Sequence, residues 1–185
     1  MGRTITAVLD ANILYPAPLR DLFIRIAQAG LIRAKWTVMI HEEWIRNVVK
    51  NNPKLSIDRL SRTRSLMNDA VRDCLVTGFE YRIDSIQLPD SDDRHVVAAA
   101  IHCHADAIVT FNLKDFPADS LQPFGIEACH PDEFLVSLLE DESDRVRNIV
   151  EEQQTSLCNP PKSLDELFDI FEKQGIPRFT ALLRK

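Results

Sequence analysis

Two apolar segments far apart in the chain end in the same way. Ile5-Thr6-Ala7-Val8-Leu9 runs into Asp10-Ala11-Asn12, and Ala107-Ile108-Val109-Thr110 runs into Phe111-Asn112-Leu113-Lys114-Asp115. Carboxylates gathered at one edge of a sheet repel one another unless a cation sits between them. Hard divalent ions such as Mg2+ or Mn2+ take oxygen ligands of this kind, usually a few carboxylates and several waters. The candidate ligands are Asp10, Glu42 or Glu43, then Asp90, Asp92 or Asp93, and Asp115. Each alone says little: an acid at a helix start such as Asp92 is commonly a cap, and Glu42 and Glu43 read equally as surface. Asp10 is different, because an acid directly after five residues of strand has no structural duty visible in sequence.

The elements that must position these acids follow from periodicity. A short, continuous apolar run predicts a strand buried on both faces, as in parallel sheets, and ligands of open parallel sheets sit beyond the carboxyl ends of the strands. Residues 19–31 carry a helical stripe (Leu22, Phe23, Ile26, Ala27) closed by Gly30. Residues 34–38 predict a short strand, 40–51 a helix stopped by Pro53, 57–75 a long helix, and 79–83 another short strand. Pro89-Asp90-Ser91-Asp92-Asp93 is an acidic turn, followed by a helix over 94–104 that is apolar on most sides. Strands at 107–110 and 125–129 and a helix at 132–139 complete the pattern. Helices alternating with strands imply right-handed crossovers, hence an α/β fold with a central, mostly parallel sheet flanked by helices.

From Glu140 onward the composition changes to a charged stretch without sheet pattern, then a break at Asn159-Pro160-Pro161-Lys162. Ser163-Leu164-Asp165-Glu166 is a capping box. The stripe Leu164, Leu167, Phe168, Phe171 that follows must pack on the main domain, a second subunit or another protein, and Gly175 with Pro177 ends its helix. The expected organisation is an α/β domain over 4–138 and a C-terminal helical extension over 139–185.

At 185 residues the chain can bury a core without staples. Cys74, Cys103, Cys129 and Cys158 are widely spaced with no CxxC pair, and neither a signal peptide nor a membrane span is evident, so a cytoplasmic protein with reduced thiols is expected. Met1-Gly2 with Thr6 loosely fits an acylation pattern, outweighed by its place at the start of a strand. The net charge of −6 is divided unevenly, at +6 over residues 1–64 and −12 over the remainder. A phosphate-binding face on the basic half is therefore compatible with the acidic total. His102-Cys103-His104 lacks a second pair at zinc spacing and reads as a helix end. Trp36 and Trp44 read as core. A receiver domain would need a further acidic pair at the first strand, and a dehalogenase-type phosphatase would need Asp-x-Asp where this chain has Asp10-Ala11-Asn12.

Val8-Leu9-Asp10-Ala11-Asn12, His41-Glu42-Glu43-Trp44, the stretch from Asp92-Asp93-Arg94-His95 to Ala100, and Val109-Thr110-Phe111-Asn112-Leu113-Lys114-Asp115-Phe116 together resemble the four acidic motifs of PIN-domain ribonucleases. The nearest likeness is to VapC-type toxins of bacterial toxin–antitoxin pairs, over about residues 4–138, and the tail is similar to the helical extension of one branch. The resemblance implies a PIN-like three-layer fold and an Mg2+- or Mn2+-dependent endoribonuclease. It implies Asp10, Glu43, Asp93 and Asp115 as metal-binding catalytic acids, with Asn12, Thr110 and Asn112 in support. Glu42 and Asp92 are the neighbouring alternatives, and Asp90 flanks the same site. Arg20, Arg46 and Lys50 would hold the RNA backbone, with salt-sensitive binding. A protein antitoxin and a homodimer are implied as well. The competing expectation is a non-catalytic module that binds a protein through the Leu164–Phe171 stripe.

Overall fold

The computed structural model describes residues 4–185; Met1 and Gly2 of the acylation pattern lie outside the described residues. In chain order the elements are β1 (Ile5–Leu9), α1 (Ala11–Leu14), α2 (Ala17–Gln28), β2 (Ile32–Lys35), α3 (Val38–Asn51), α4 (Ile57–Ala70), α5 (Arg94–His102), β3 (Ala107–Val109), α6 (Ala118–Leu121), β4 (Glu127–Cys129), α7 (Pro131–Asp141), α8 (Ser143–Ser156), α9 (Leu164–Lys173) and α10 (Pro177–Leu183). Short 3-10 turns occupy Glu80–Ser85, Leu113–Asp115 and Gln122–Phe124. The strands form one parallel sheet in the order β2-β1-β3-β4, with Ala7 opposite both Ala34 and Ala107 and Leu9 opposite Val109.

That order decides where the site lies. From β1 the chain steps to one side to form β2, then returns across β1 to form β3 on the other. Right-handed crossovers in opposite directions place α2 and α5 on opposite faces, giving three layers. The crevice opens where the direction reverses, between the carboxyl ends of β1 and β3. The α5 segment from Val96 to Ala100 is completely buried, and its three alanines let the helix lie close to β1 and β3.

The stretch expected as a strand at 79–83 is instead the 3-10 turn Glu80–Ser85. Only Phe79 of that stretch is buried, Tyr81 is exposed, and the turn packs against α5. The sheet edge it would have needed is occupied by the preceding chain. Trp36 donates its N–H to the Cys74 carbonyl at 2.9 Å, and Val76 donates to the Trp36 carbonyl at 2.8 Å. This bridge also stops α4 at Ala70, short of the expected 75, because Val71 must turn extended to reach it.

The charged stretch after Glu140 is the amphipathic helix α8, which buries Val146, Ile149, Val150 and Gln153. It packs on α2 and α7, while α10 packs on α7 and α9. Leu167 and Phe171 are fully buried and Phe168 nearly so, within the chain's own core. The stripe is thus spent inside the molecule, which removes the surface that the protein-binding module required. The predicted capping box at Ser163 and Glu166 is present. Among the described residues no helix is long and apolar enough to cross a membrane.

A polar cluster is buried beneath α3. Asn68 Oδ1 accepts from Trp36 Nε1 at 2.8 Å and pairs with His41 Nε2 at 3.0 Å, and His41 Nδ1 accepts from Trp44 Nε1 at 2.9 Å. An indole can only donate, so Nδ1 is the bare nitrogen and Nε2 carries the proton given to Asn68. Burial, reinforced by the charges of Arg64 and Arg20, pushes the His41 pKa down to about 4 against the bond to Asn68. Replacing Asn68 by leucine strands two buried N–H groups at roughly 1–3 kcal/mol each. Denaturant unfolding of Asn68→Leu is expected to show a loss of about 2–4 kcal/mol with an unchanged m-value.

Candidate active site

At the carboxyl edge of β1, Asp10 is 3% exposed and holds its place through four groups. Its Oδ1 accepts from the Ala11 N–H at 2.6 Å; its Oδ2 accepts from Asn12 Nδ2 and from the Thr110 hydroxyl, each at 2.7 Å. Its own N–H donates to the Val109 carbonyl at 3.1 Å, extending the β1–β3 ladder by one bond.

Thr110, fully buried, uses everything a hydroxyl offers. The proton goes to Asp10, and the two lone pairs accept from Asn12 Nδ2 and from the Asn112 N–H, both at 3.0 Å. Asn12 Oδ1 in turn accepts from the Phe111 N–H at 3.2 Å, and the Asn112 side-chain amide donates to Asp115 Oδ2. The polar residues beside the acids thus form a continuous net from Asp10 to Asp115 across the crevice.

Opposite this net stands the start of α5. Ligand oxygens of Asp90, Asp93 and Asp115 lie within 4.8 Å of one another, a separation that one cation can bridge. Burial is the main reason the Asp93 carboxyl is pushed up to about 7, followed by the charges of Asp10, Asp90, Glu43 and Asp115. Burial and Glu43 also raise Asp10, against the lowering bonds from Thr110 and Ala11. Asp10, Glu43, Asp90, Asp93 and Asp115 therefore share one field. An all-oxygen set with this much mutual repulsion fits a hard divalent ion.

The remaining predicted residues fall in different places. Glu43 is half-buried and faces His95, with Oε2 3.6 Å from Nε2, whereas Glu42 is exposed on the adjoining face of α3. His95 is 6% exposed, and its Nδ1 has no hydrogen-bond partner. Asp92 donates its N–H to Asp90 Oδ1 at 2.9 Å and leaves its own carboxylate exposed. Arg46 and Lys50 are exposed one turn apart on α3, in line with Glu42. The Arg20 guanidinium donates to the Leu14 carbonyl at 2.6 Å and lies 4.8 Å over the Trp44 ring. Sequence reasoning left Asp90 at the margin, although its spacing of three from Asp93 could have signalled a shared site. The link from His95 to Glu43 joins two helices and has no local sequence signal.

The raised Asp93 pKa has a measurable consequence for the metal-free protein. An unfolded aspartate loses its proton near 3.8 and folded Asp93 near 7, so within this window the folded state holds the extra proton. Stability contributed by Asp93 therefore declines as pH rises through the window. Thermal melts without divalent ions are expected to show Asp93→Asn more stable than wild type above pH 7, with the gap closing toward the unfolded value.

The PIN-domain family profile matches residues 6–114, from within β1 to the residue before Asp115. The profile of the VapC50 C-terminal domain matches residues 131–185, from α7 to the end of α10. The curated protein "Putative ribonuclease VapC50" of Mycobacterium tuberculosis (strain ATCC 25618 / H37Rv) is 32% identical over 135 residues, 71% of this chain and 79% of that protein. No solved structure matches the chain. A parallel sheet with acids collected at its switch point, followed by the helices of the second profile, accounts for both matches: the chain belongs to the PIN-domain family and carries a C-terminal region of the VapC50 type.

Proposed function

We propose that the protein is a divalent-metal-dependent endoribonuclease and the toxin of a type II toxin–antitoxin pair. The observation that carries this reading is the convergence of five carboxylates on one crevice, with Asp90, Asp93 and Asp115 close enough to share an ion. Its relative's name as a ribonuclease supports RNA as the substrate. Bound Mg2+ or Mn2+ would polarise a phosphodiester and lower the pKa of a coordinated water.

The chain's own residues do the rest. Asp90 and Asp93 before α5 and Asp115 after β3 would hold the ion, and Asp10 and Glu43 add their charge to the same pocket. Asn12 and Thr110 keep the Asp10 carboxylate in one orientation, so no reorganisation is needed when substrate arrives. Asn112 does the same for Asp115. A bound cation would offset the repulsion that raises Asp93 and so favour its ionised, ligating form. Arg46 and Lys50 are free to contact backbone phosphates along α3, while Arg20, held by Leu14 and Trp44, braces the turn between α1 and α2. No serine, cysteine or histidine nucleophile is required.

The domain limit near residue 139, a homodimer, a protein antitoxin and a cytoplasmic setting belong to the same proposal. Purified protein with Mg2+ or Mn2+ is expected to cleave RNA, with activity removed by EDTA and restored by the ion. Asp10→Asn should reduce cleavage to background, and Asn12→Ala should lower it about ten- to a hundredfold. Cleavage that persists in EDTA or in Asp10→Asn would refute the reading.

A further inference from the structure

The side chain between Thr110 and Asn112 belongs to none of the acidic motifs' ligands, yet it occupies the junction between the site and the C-terminal helices. The Phe111 backbone N–H donates to Asn12 Oδ1 at 3.2 Å, so any shift of this residue moves the net around Asp10. Its ring meets two features of the following segment. The His130 ring stands edge-on to it, with centroids 5.2 Å apart at 81°. Gly175, in the turn between α9 and α10, lies against it as well. That glycine has φ +88°, and a Cβ placed there would come within 3.0 Å of Phe111 Cε1. Glycine is needed at this turn both for its backbone conformation and for the close approach of the ring.

The turn is itself held rigidly. Asp132, 4% exposed, accepts from the Arg178 N–H at 3.1 Å and from the Phe179 N–H at 2.8 Å, closing the start of α10. The Asp132 N–H donates to His130 Nδ1 at 3.2 Å. Asp132 thus ties His130, through its backbone N–H, to the first turn of α10 just past Gly175, through its carboxylate, and both His130 and Gly175 adjoin Phe111. The apolar packing of the extension itself is supplied by Leu167, Phe171 and Phe179.

We propose that Phe111 is a positioning residue through which the C-terminal helices hold Asn12, Thr110 and Asn112, and with them the metal-binding carboxylates; this rests on the nuclease reading above. The extension is then part of the apparatus that shapes the ion site, acting through a single ring wedged between Gly175 and His130.

The test uses the full-length chain as Gly175→Ala and Phe111→Leu, with Leu183→Ala at the far end of α10 as a control for loss of stability alone. Mn2+ affinity is read by calorimetry, and kcat and KM are read on RNA. Gly175→Ala and Phe111→Leu are expected to weaken Mn2+ binding about ten- to a hundredfold. Their kcat should fall while KM for RNA holds, as expected when ground-state RNA binding is untouched. Leu183→Ala should lower the melting temperature and leave both Mn2+ affinity and kcat of the folded protein intact. If Gly175→Ala fails to fold, Phe111→Leu, which keeps apolar bulk, decides the matter. Wild-type Mn2+ affinity and kcat in Phe111→Leu, or an equal loss in Leu183→Ala, would overturn the proposal. If the wild type binds Mn2+ but cuts no RNA, the nuclease reading fails while the Mn2+ affinities still settle the role of Phe111.

Discussion

Carboxylates of like charge have to be held close together against their own repulsion, and the rest of this structure is arranged around that requirement. The restraint on the sheet side comes from one hydroxyl. Thr110 donates once and accepts twice, and its partners are the acid at the end of β1, the amide two residues beyond that acid and the backbone N–H two residues past Thr110 itself. On the helix side the buried segment from Val96 to Ala100 anchors α5 against β1 and β3, with Asp93 half-buried at its N-terminus. Neither side neutralises the pocket. The raised pKa values of Asp10 and Asp93 record burial together with that uncompensated charge, a deficit that a cation would relieve.

A second buried polar group titrates over a similar range with the opposite sign. Folded His41 resists protonation, so its contribution to stability is present above its unfolded value of 6.5 and is lost as pH falls toward about 4. Asp93 contributes in the other direction while no ion is bound. The pH response of the metal-free protein is therefore a difference between two opposed effects. Filling the pocket cancels the aspartate's part and exposes the histidine's. Asn68 accepts the hydrogen bond from the Nε2–H of the tautomer that Trp44 imposes by donating to Nδ1.

Much of this was legible in residues whose roles are local. The acids Asp10 and Asp115 stand at the ends of apolar runs, and the capping box at Ser163 spells out its own helix start. The parallel sheet followed from strands too apolar to have a wet face. What escaped depended on tertiary competition. Residues 79–83 have a strand-like alternation, but the open edge of β2 is taken by the Trp36–Leu75 bridge, so they coil into a 3-10 turn against α5. The charged run after Glu140 hides a buried stripe at Val146, Ile149 and Val150 that only the presence of α2 reveals. The choice between Glu42 and Glu43 needs the rotation of α3, because adjacent helix residues face different ways and only Glu43 meets His95. His41 could not be read as a buried base at all, since Asn68 arrives from a different helix.

Of the hydrogen bonds that fix Asp10, the one from Thr110 comes from 100 residues further along, and those that join Asn12 to Thr110 and Phe111 span 98 and 99 residues. Contacts of such long sequence separation close late, after much of the loop entropy has been overcome. A chain emerging from the ribosome thus carries Asp10 for most of its synthesis without the strand that would orient it. The pocket around Asp10 is complete only when β3 inserts beside β1, so on the nuclease reading unfinished polypeptides lack the site that would act on the class of molecule that templates them.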